Sequence, residues 1–253
     1  MTLRLHAFTC GWITASLGAF LEGARGKIRI PVPCFLIVHP EGTALFDAGM
    51  HVATQTDPGA RLGPLAAAYV VEFAPGEEIS ARLAAQDVAA DRIDFLVNSH
   101  LHFDHAGGNA QVPNARLVVQ RAEWEAGRDP DLARANSYDA RDYDLGHAVL
   151  AIEGEHDLFG DGSVTCIPTP GHTPGHQSLR VRTQRRDVVL TADACYLRRT
   201  LDALHLPPFA YDRDQMRASL LRLRALEQAG ARLVFGHDPE LWASVPQAPL
   251  AFD

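Results

Sequence analysis

The sequence has no closely spaced cysteines. Its four (Cys10, Cys34, Cys166 and Cys195) stand far apart with no CxxC motif, which fits reduced, buried thiols better than a disulfide framework. No apolar run approaches the ~20 residues needed to cross a bilayer. The opening residues, Met1-Thr-Leu-Arg-Leu-His6, lack the basic start, apolar run and small-residue cleavage site of a signal peptide. Basic residues cluster only at Arg185-Arg186 and Arg198-Arg199, and 23 Lys plus Arg against 31 Asp plus Glu leave a net charge of −8. A phosphate backbone is therefore not an expected partner. There is also no short repeat and no low-complexity linker. Length alone does not choose between one large domain and two small ones. With nothing to divide the chain, a single domain over residues 1–253 is expected, soluble and cytoplasmic, with no nucleic-acid or membrane partner.

What is present is enough apolar material for a core, 47% of the residues against 21% charged. Strand patterns dominate the opening third. Leu3 to Phe8 alternates loosely, and Cys34 to Val38 reads as a buried strand. The turn His39-Pro-Glu-Gly42 and the run Thr43 to Phe46 complete a hairpin. Residues 50–75 are punctuated by Gly and Pro and read as a short helix or a lid. Ile79 to Ala85 has helical spacing. Ile93 to Val97 and Leu117 to Val119 are further strands, and the polar stretch from Glu125 to Asp144 reads as an exposed excursion. Strands resume at 164–167, 178–181 and 188–190. An amphipathic helix runs from Asp214 to Ala229, with Met216, Leu220, Leu223 and Leu226 at 3- to 4-residue spacing and Gly230 as its stop. A last strand, Leu233 to Phe235, ends at Gly236-His237-Asp238. Each half thus runs strands first and then a helix, which suggests two similar halves stacked face to face.

The chemistry concentrates at His100-Leu-His-Phe-Asp-His105. If the preceding residues form a strand, its end can point His100 and His102 at one spot and the following turn can point Asp104 and His105 at a neighbouring one. Imidazole and carboxylate suit Zn²⁺ best, with Fe, Mn or Co possible. Gly107-Gly108 lets the backbone pass close beneath a crowded site. Four ligands on one loop cannot close a two-metal site, and three more candidates also stand at strand ends. They are His172 in the loop Thr169-Pro-Gly-His-Thr-Pro-Gly-His176, then Asp193, then His237. Each has an ordinary alternative as a turn or capping residue. As a set with the first cluster they point to a metal centre.

These residues resemble the metallo-β-lactamase superfamily, whose HxHxDH signature stands here at His100 to His105. The resemblance runs from the Asp47 loop to Gly236-His237 and implies an α/β fold, an αββα sandwich of two mixed β-sheets flanked by helices. It implies that His100, His102 and His172 hold one metal, that Asp104, His105 and His237 hold the other, and that Asp193 bridges them. Within the superfamily the chain is most similar to N-acyl homoserine lactonases, through the loop 169–179, the segment Asp193-Ala-Cys-Tyr196 and the ending His237-Asp238. In that group the tyrosine matching Tyr196 faces the substrate.

The resemblance implies a two-zinc hydrolase in which a hydroxide shared by the metals opens a small lactone. Tyr196 would donate to the carbonyl or the developing oxyanion, and Asp104 would relay the proton to the leaving oxygen. Trp12, Phe20 and Met50, with Leu21 and 66–71, are candidates for the apolar groove of the acyl tail. Asp47 and Asp238 are candidates to orient ligand imidazoles, and Cys195 reads as a packed small residue. The protein would act as a monomer or homodimer. Other readings keep the metals but change the substrate to another lactone, a thioester as in glyoxalase II, an aryl ester or a phosphotriester. A non-catalytic metal-binding protein is the reading from another class.

Overall fold

The structure is a computed structural model in which residues 3–252 are described. Among these residues seven strands form one mixed sheet: β1 (Arg4–Ser16), β2 (Lys27–His39), β3 (Gly42–Phe46), β4 (Val70–Glu72), β5 (Phe95–Val97), β6 (Arg116–Gln120) and β7 (Val149–Ile152), in the order β4-β1-β2-β3-β5-β6-β7. Five more form the second: β8 (His156–Asp157), β9 (Val164–Pro168), β10 (Gln177–Arg182), β11 (Asp187–Ala192) and β12 (Arg232–Phe235), in the order β12-β11-β10-β9-β8. The α-helices are α1 (Pro58–Leu62), α2 (Ile79–Ala84), α3 (Arg121–Arg128), α4 (Pro130–Ala135), α5 (Arg198–Ala203), α6 (Arg213–Gln228) and α7 (Pro239–Trp242). This is the expected αββα sandwich.

Side-chain alternation explains the layering. On β2, Phe35 and Ile37 face the second sheet and join Val164, Cys166, Leu179, Val181, Val188 and Leu190 in the layer between the sheets. Their neighbours Cys34 and Leu36 point the other way, to a core shared with Ile79 and Leu83 of α2. Because both faces are covered, Ile30 to Ile37 is an unbroken buried run. On the opposite side α6 covers the second sheet. Asp212 caps it by accepting from the Asp214 and Gln215 amides at 2.9 and 3.0 Å, and Met216, Leu220 and Leu223 are buried, each stabilising by ~1.5–3 kcal/mol. No helix among the described residues is long and apolar enough to cross a membrane.

The anticipated hairpin is present, β2 pairing antiparallel with β3 and closing at His39 opposite Gly42. Strands β1 and β2 are much longer than their apolar cores suggested. They pair along almost their whole length, through a register shift between Thr9 and Trp12 where Gly11 takes φ 101°. Residues 52–72 hold α1 between two 3₁₀ turns and then β4, which pairs with β1. The stretch 125–144 differs from the expected exposed excursion. It contains the end of α3, then α4, and then Asp142 and Tyr143, both buried. The Arg61 guanidinium pairs with the Asp142 carboxylate, and the Tyr143 hydroxyl donates to the Gly127 carbonyl at 2.7 Å. These partners let polar groups enter the interior.

Candidate metal centre

The proposed ligands come from loops that leave the C-terminal ends of β5, β9, β11 and β12. Open sheets carry their sites at such edges, where a strand fixes the root of a side chain and the following loop is free to shape a cleft. Beneath them, Gly107 and Gly108 pass so near Phe103 and Ala48 that an added Cβ would lie 2.2 Å from one carbonyl oxygen and 2.1 Å from the other. Only glycine allows that approach.

All seven predicted ligand side chains converge. The donor atoms of His100, His102, His172 and Asp193 lie within 4.8 Å of one another, and so do those of Asp104, His105 and His237. Asp193 stands between the groups. Its Oδ2 is 3.7 Å from His100 Nε2 and 3.4 Å from His172 Nε2, while its Oδ1 is 3.3 Å from His105 Nε2 and 3.1 Å from His237 Nε2. Asp104 Oδ2 faces His237 Nε2 at 3.5 Å and His105 Nε2 at 3.8 Å.

Hydrogen bonds on the far side of the rings set their orientation. His102 Nε2 donates to the Asn136 carbonyl, His237 Nδ1 to the Pro31 carbonyl and His105 Nδ1 to Asp47 Oδ2, each at 2.8 Å. A carbonyl or carboxylate accepts only, so these outer nitrogens carry protons and the opposite nitrogens are turned to the centre. His100 Nδ1 meets the Ser99 hydroxyl and His172 Nδ1 the Tyr196 hydroxyl, both at 2.9 Å. The inward nitrogens of His100, His102 and His172 then stand 2.9–3.2 Å apart, three ring nitrogens converging on one spot. His105 Nε2 and Asp193 Oδ1 are buried with no hydrogen-bond partner. Converging ring nitrogens and buried polar atoms without a partner are what divalent cations would satisfy, and the donor set fits such metals.

Electrostatics separate the two groups. Burial, reinforced by neighbouring imidazoles, pushes His100 well below the usual imidazole range. Burial also holds His172 well below it, against the pull of Asp193. For His105 burial acts downward too, but Asp193, Asp104 and Asp47 outweigh it and raise the ring well above that range. His237 is raised in the same way by Asp193 and Asp104. In turn, His237 and His105 hold Asp193 well below the usual carboxylate range despite its burial.

The other sequence candidates divide. Tyr196 is at the centre, its ring stacked on His237 at 6.0 Å and met edge-on by Phe20 at 5.2 Å. Were His172 Nε2 to take a metal, Nδ1 would carry the proton and donate to the phenol oxygen, leaving the hydroxyl proton of Tyr196 for another acceptor. Phe20 is brought to the site as a buttress. Trp12 is half-buried on β1 opposite Pro31, under the Arg29 guanidinium at 4.0 Å. Met50 has no exposed surface and lies in the core cluster beside Gly11. Asp47 does orient a ligand ring, His105, and also accepts from the Ser99 amide at 2.7 Å. Asp238 does not. It caps α7 through the Glu240 and Leu241 amides and accepts from the Arg198 amide at 2.7 Å. Cys195 is a buried thiol among core residues.

Several contributors are not readable from the sequence. The Asn136 and Pro31 carbonyls act through the backbone, which no side-chain pattern reports. Ser99 could have been suspected from its place between a strand and His100. Tyr69, within the stretch offered as groove, packs on Phe103 with ring centroids 5.6 Å apart. Burial and the nearby Asp104 and Asp193 carboxylates push its hydroxyl up to about 12, so it stays neutral beside the centre.

Comparison with known proteins agrees with this arrangement. A profile of the metallo-beta-lactamase superfamily matches residues 28–237. N-acyl homoserine lactonase AttM of Azorhizobium caulinodans is 36% identical over 239 residues, covering 92% of this chain and 91% of that protein. N-acyl homoserine lactonase AiiA of Bacillus thuringiensis subsp. kurstaki is 31% identical over 220 residues, covering 85% and 84%. A solved N-acyl homoserine lactone hydrolase with N-hexanoyl-L-homoserine bound at its catalytic metal centre superposes with a TM-score of 0.89 at 28% identity, over 100% of both chains. With its fold, its converging histidines and aspartates and these relatives taken together, the chain belongs to the metallo-beta-lactamase superfamily.

Proposed function

We propose that the protein is a cytoplasmic dinuclear zinc hydrolase that opens the lactone ring of N-acyl homoserine lactones. The observation that carries the two-metal reading is Asp193, with one carboxylate oxygen facing His100 and His172 and the other facing His105 and His237. The lactone rests on the relatives, which carry that activity in their names and, in one solved structure, hold a ring-opened product at the metals.

His100, His102 and His172 would hold one ion, Asp104, His105 and His237 the other, and Asp193 both. Two ions so held would lower the pKa of a water to near ~7 and polarise the lactone carbonyl. Around them the chain's own groups do the rest. Tyr196 offers its free hydroxyl proton to the carbonyl oxygen as charge builds there. Asp104, to which no donor among the described residues hydrogen-bonds, takes the proton of the attacking water and passes it to the ring oxygen as the ester bond breaks. The product is the ring-opened hydroxy acid.

The test is a panel of N-acyl homoserine lactones of increasing chain length, followed by acid release in a phenol-red assay. A thioester serves as comparison and Tyr196→Phe as control. Turnover of lactones, with kcat lowered ~100- to 1,000-fold by Tyr196→Phe, supports the reading. Cleavage of the thioester with every lactone untouched would sink it.

A further inference from the structure

Behind the ligand loops lies a buried carboxylate that belongs to neither ligand group. Glu123 on α3 has no exposed surface. Its Oε1 accepts from the Leu101 amide at 3.1 Å and the Tyr138 hydroxyl at 2.5 Å, and its Oε2 from the Thr173 hydroxyl at 2.9 Å and the Gly175 amide at 2.8 Å. Leu101 lies between His100 and His102, and Thr173 follows His172. One side chain therefore grips both loops that carry the three-histidine group, and these four donors use the roughly four acceptor positions a carboxylate has. The fit is close on the backbone side as well: a Cβ on Gly175 would stand 2.2 Å from the Glu123 amide nitrogen. Among the described residues no hydrogen bond links Glu123 directly to Asp104, His105 or His237, or to an amide next to any of them.

Three imidazoles from two separate loops bring their inward nitrogens to 2.9–3.2 Å of one another, so the spacing of the site depends on how those two loops are held together. We propose that Glu123 is a positioning residue for the His100/His102/His172 half of the metal centre, clamping its two ligand loops at the spacing that one ion requires and leaving the other half untouched. The inference rests on the two-metal reading above.

The experiment is a zinc titration of metal-stripped protein against a chromophoric chelator. It is repeated with Co²⁺, whose visible spectrum reports ligand geometry. Two backgrounds isolate the halves: His237→Ala leaves the three-histidine group complete, and His172→Ala leaves Asp104, His105 and His237. Glu123→Gln keeps the shape but puts an amide donor where two donors now converge. It is expected to weaken zinc ~10- to 100-fold in the His237→Ala background and change the Co²⁺ spectrum there, as loss of an orienting partner does. Zinc binding in the His172→Ala background should stay within about twofold, well under that loss. Thr173→Ala removes one of the four donors and should move affinity the same way by less, so the inference stays testable if Glu123→Gln fails to fold. Equal weakening in both backgrounds, or unchanged affinity in the first with only a lower Tm of the metal-free protein, would overturn it, the latter revealing a merely structural carboxylate. A parent protein that binds no zinc would instead overturn the two-metal reading itself.

Discussion

His100, His102 and His172 face one another across the centre, whereas His105 and His237 face the carboxylates of Asp193 and Asp104. The same imidazole is therefore pushed down in one half and up in the other. The difference is one of neighbours, not of ligand type: burial disfavours the charged ring in both halves, and only nearby negative charge reverses it. It teaches that the halves attract a cation by different means. The carboxylate-rich half supplies charge. The three-histidine half shares only Asp193 and depends on loops held in place, by the Asn136 carbonyl on His102 and by Glu123 on the loops themselves.

The broadest way to test that contrast is to remove the metal. Chelation is expected to abolish hydrolysis and lower Tm, with zinc restoring both. Zinc at about a thousand times its Kd stabilises a site by about 4 kcal/mol, so calorimetry with and without chelator measures what the cations contribute. Next in size is Asp193→Ala, the change that touches both halves. It should reduce zinc content at both sites and cut kcat/KM by more than the ~10- to 100-fold expected from losing an orienting partner. Retention of one full-strength site would show that the halves do not share it. Asp47→Ala sharpens the comparison from the carboxylate side. It frees His105 Nδ1 and should weaken zinc ~10- to 100-fold in the Asp104/His105/His237 half, read in the His172→Ala background, with the other half unchanged. The smallest effect is expected outside both. Asp238→Ala removes a helix cap and should cost ~0.5–2 kcal/mol in denaturant unfolding while zinc stoichiometry stays at the wild-type value.

Much of the centre was legible because its ligands are chemically unusual and stand at strand ends. The histidine and aspartate run from His100 to His105 needs no tertiary information to stand out, and His172, Asp193 and His237 share its setting at the close of a strand. The helix now described as Arg213–Gln228 was readable from its 3- to 4-residue spacing. The misreadings share a different cause. Strands β1 and β2 were cut short because Gly11, Pro31 and Pro33 break the local pattern, although long-range pairing carries the ladder through them. The stretch 125–144 is polar, and polarity reads as exposure unless the partner is visible. Asp142 is buried because Arg61, distant in sequence, meets it.

By itself the sequence determined the donor atoms and the layered α/β frame, because ligand chemistry and side-chain alternation are local properties of the chain. Only the tertiary structure decided which imidazole nitrogen faces inward, which rings are pushed below and which above the usual imidazole range, and that a glutamate from an unremarkable polar helix spans two ligand loops. Those outcomes depend on carbonyls, carboxylates and amides brought together from distant segments, and an interaction between such groups exists only once the fold has set their separation.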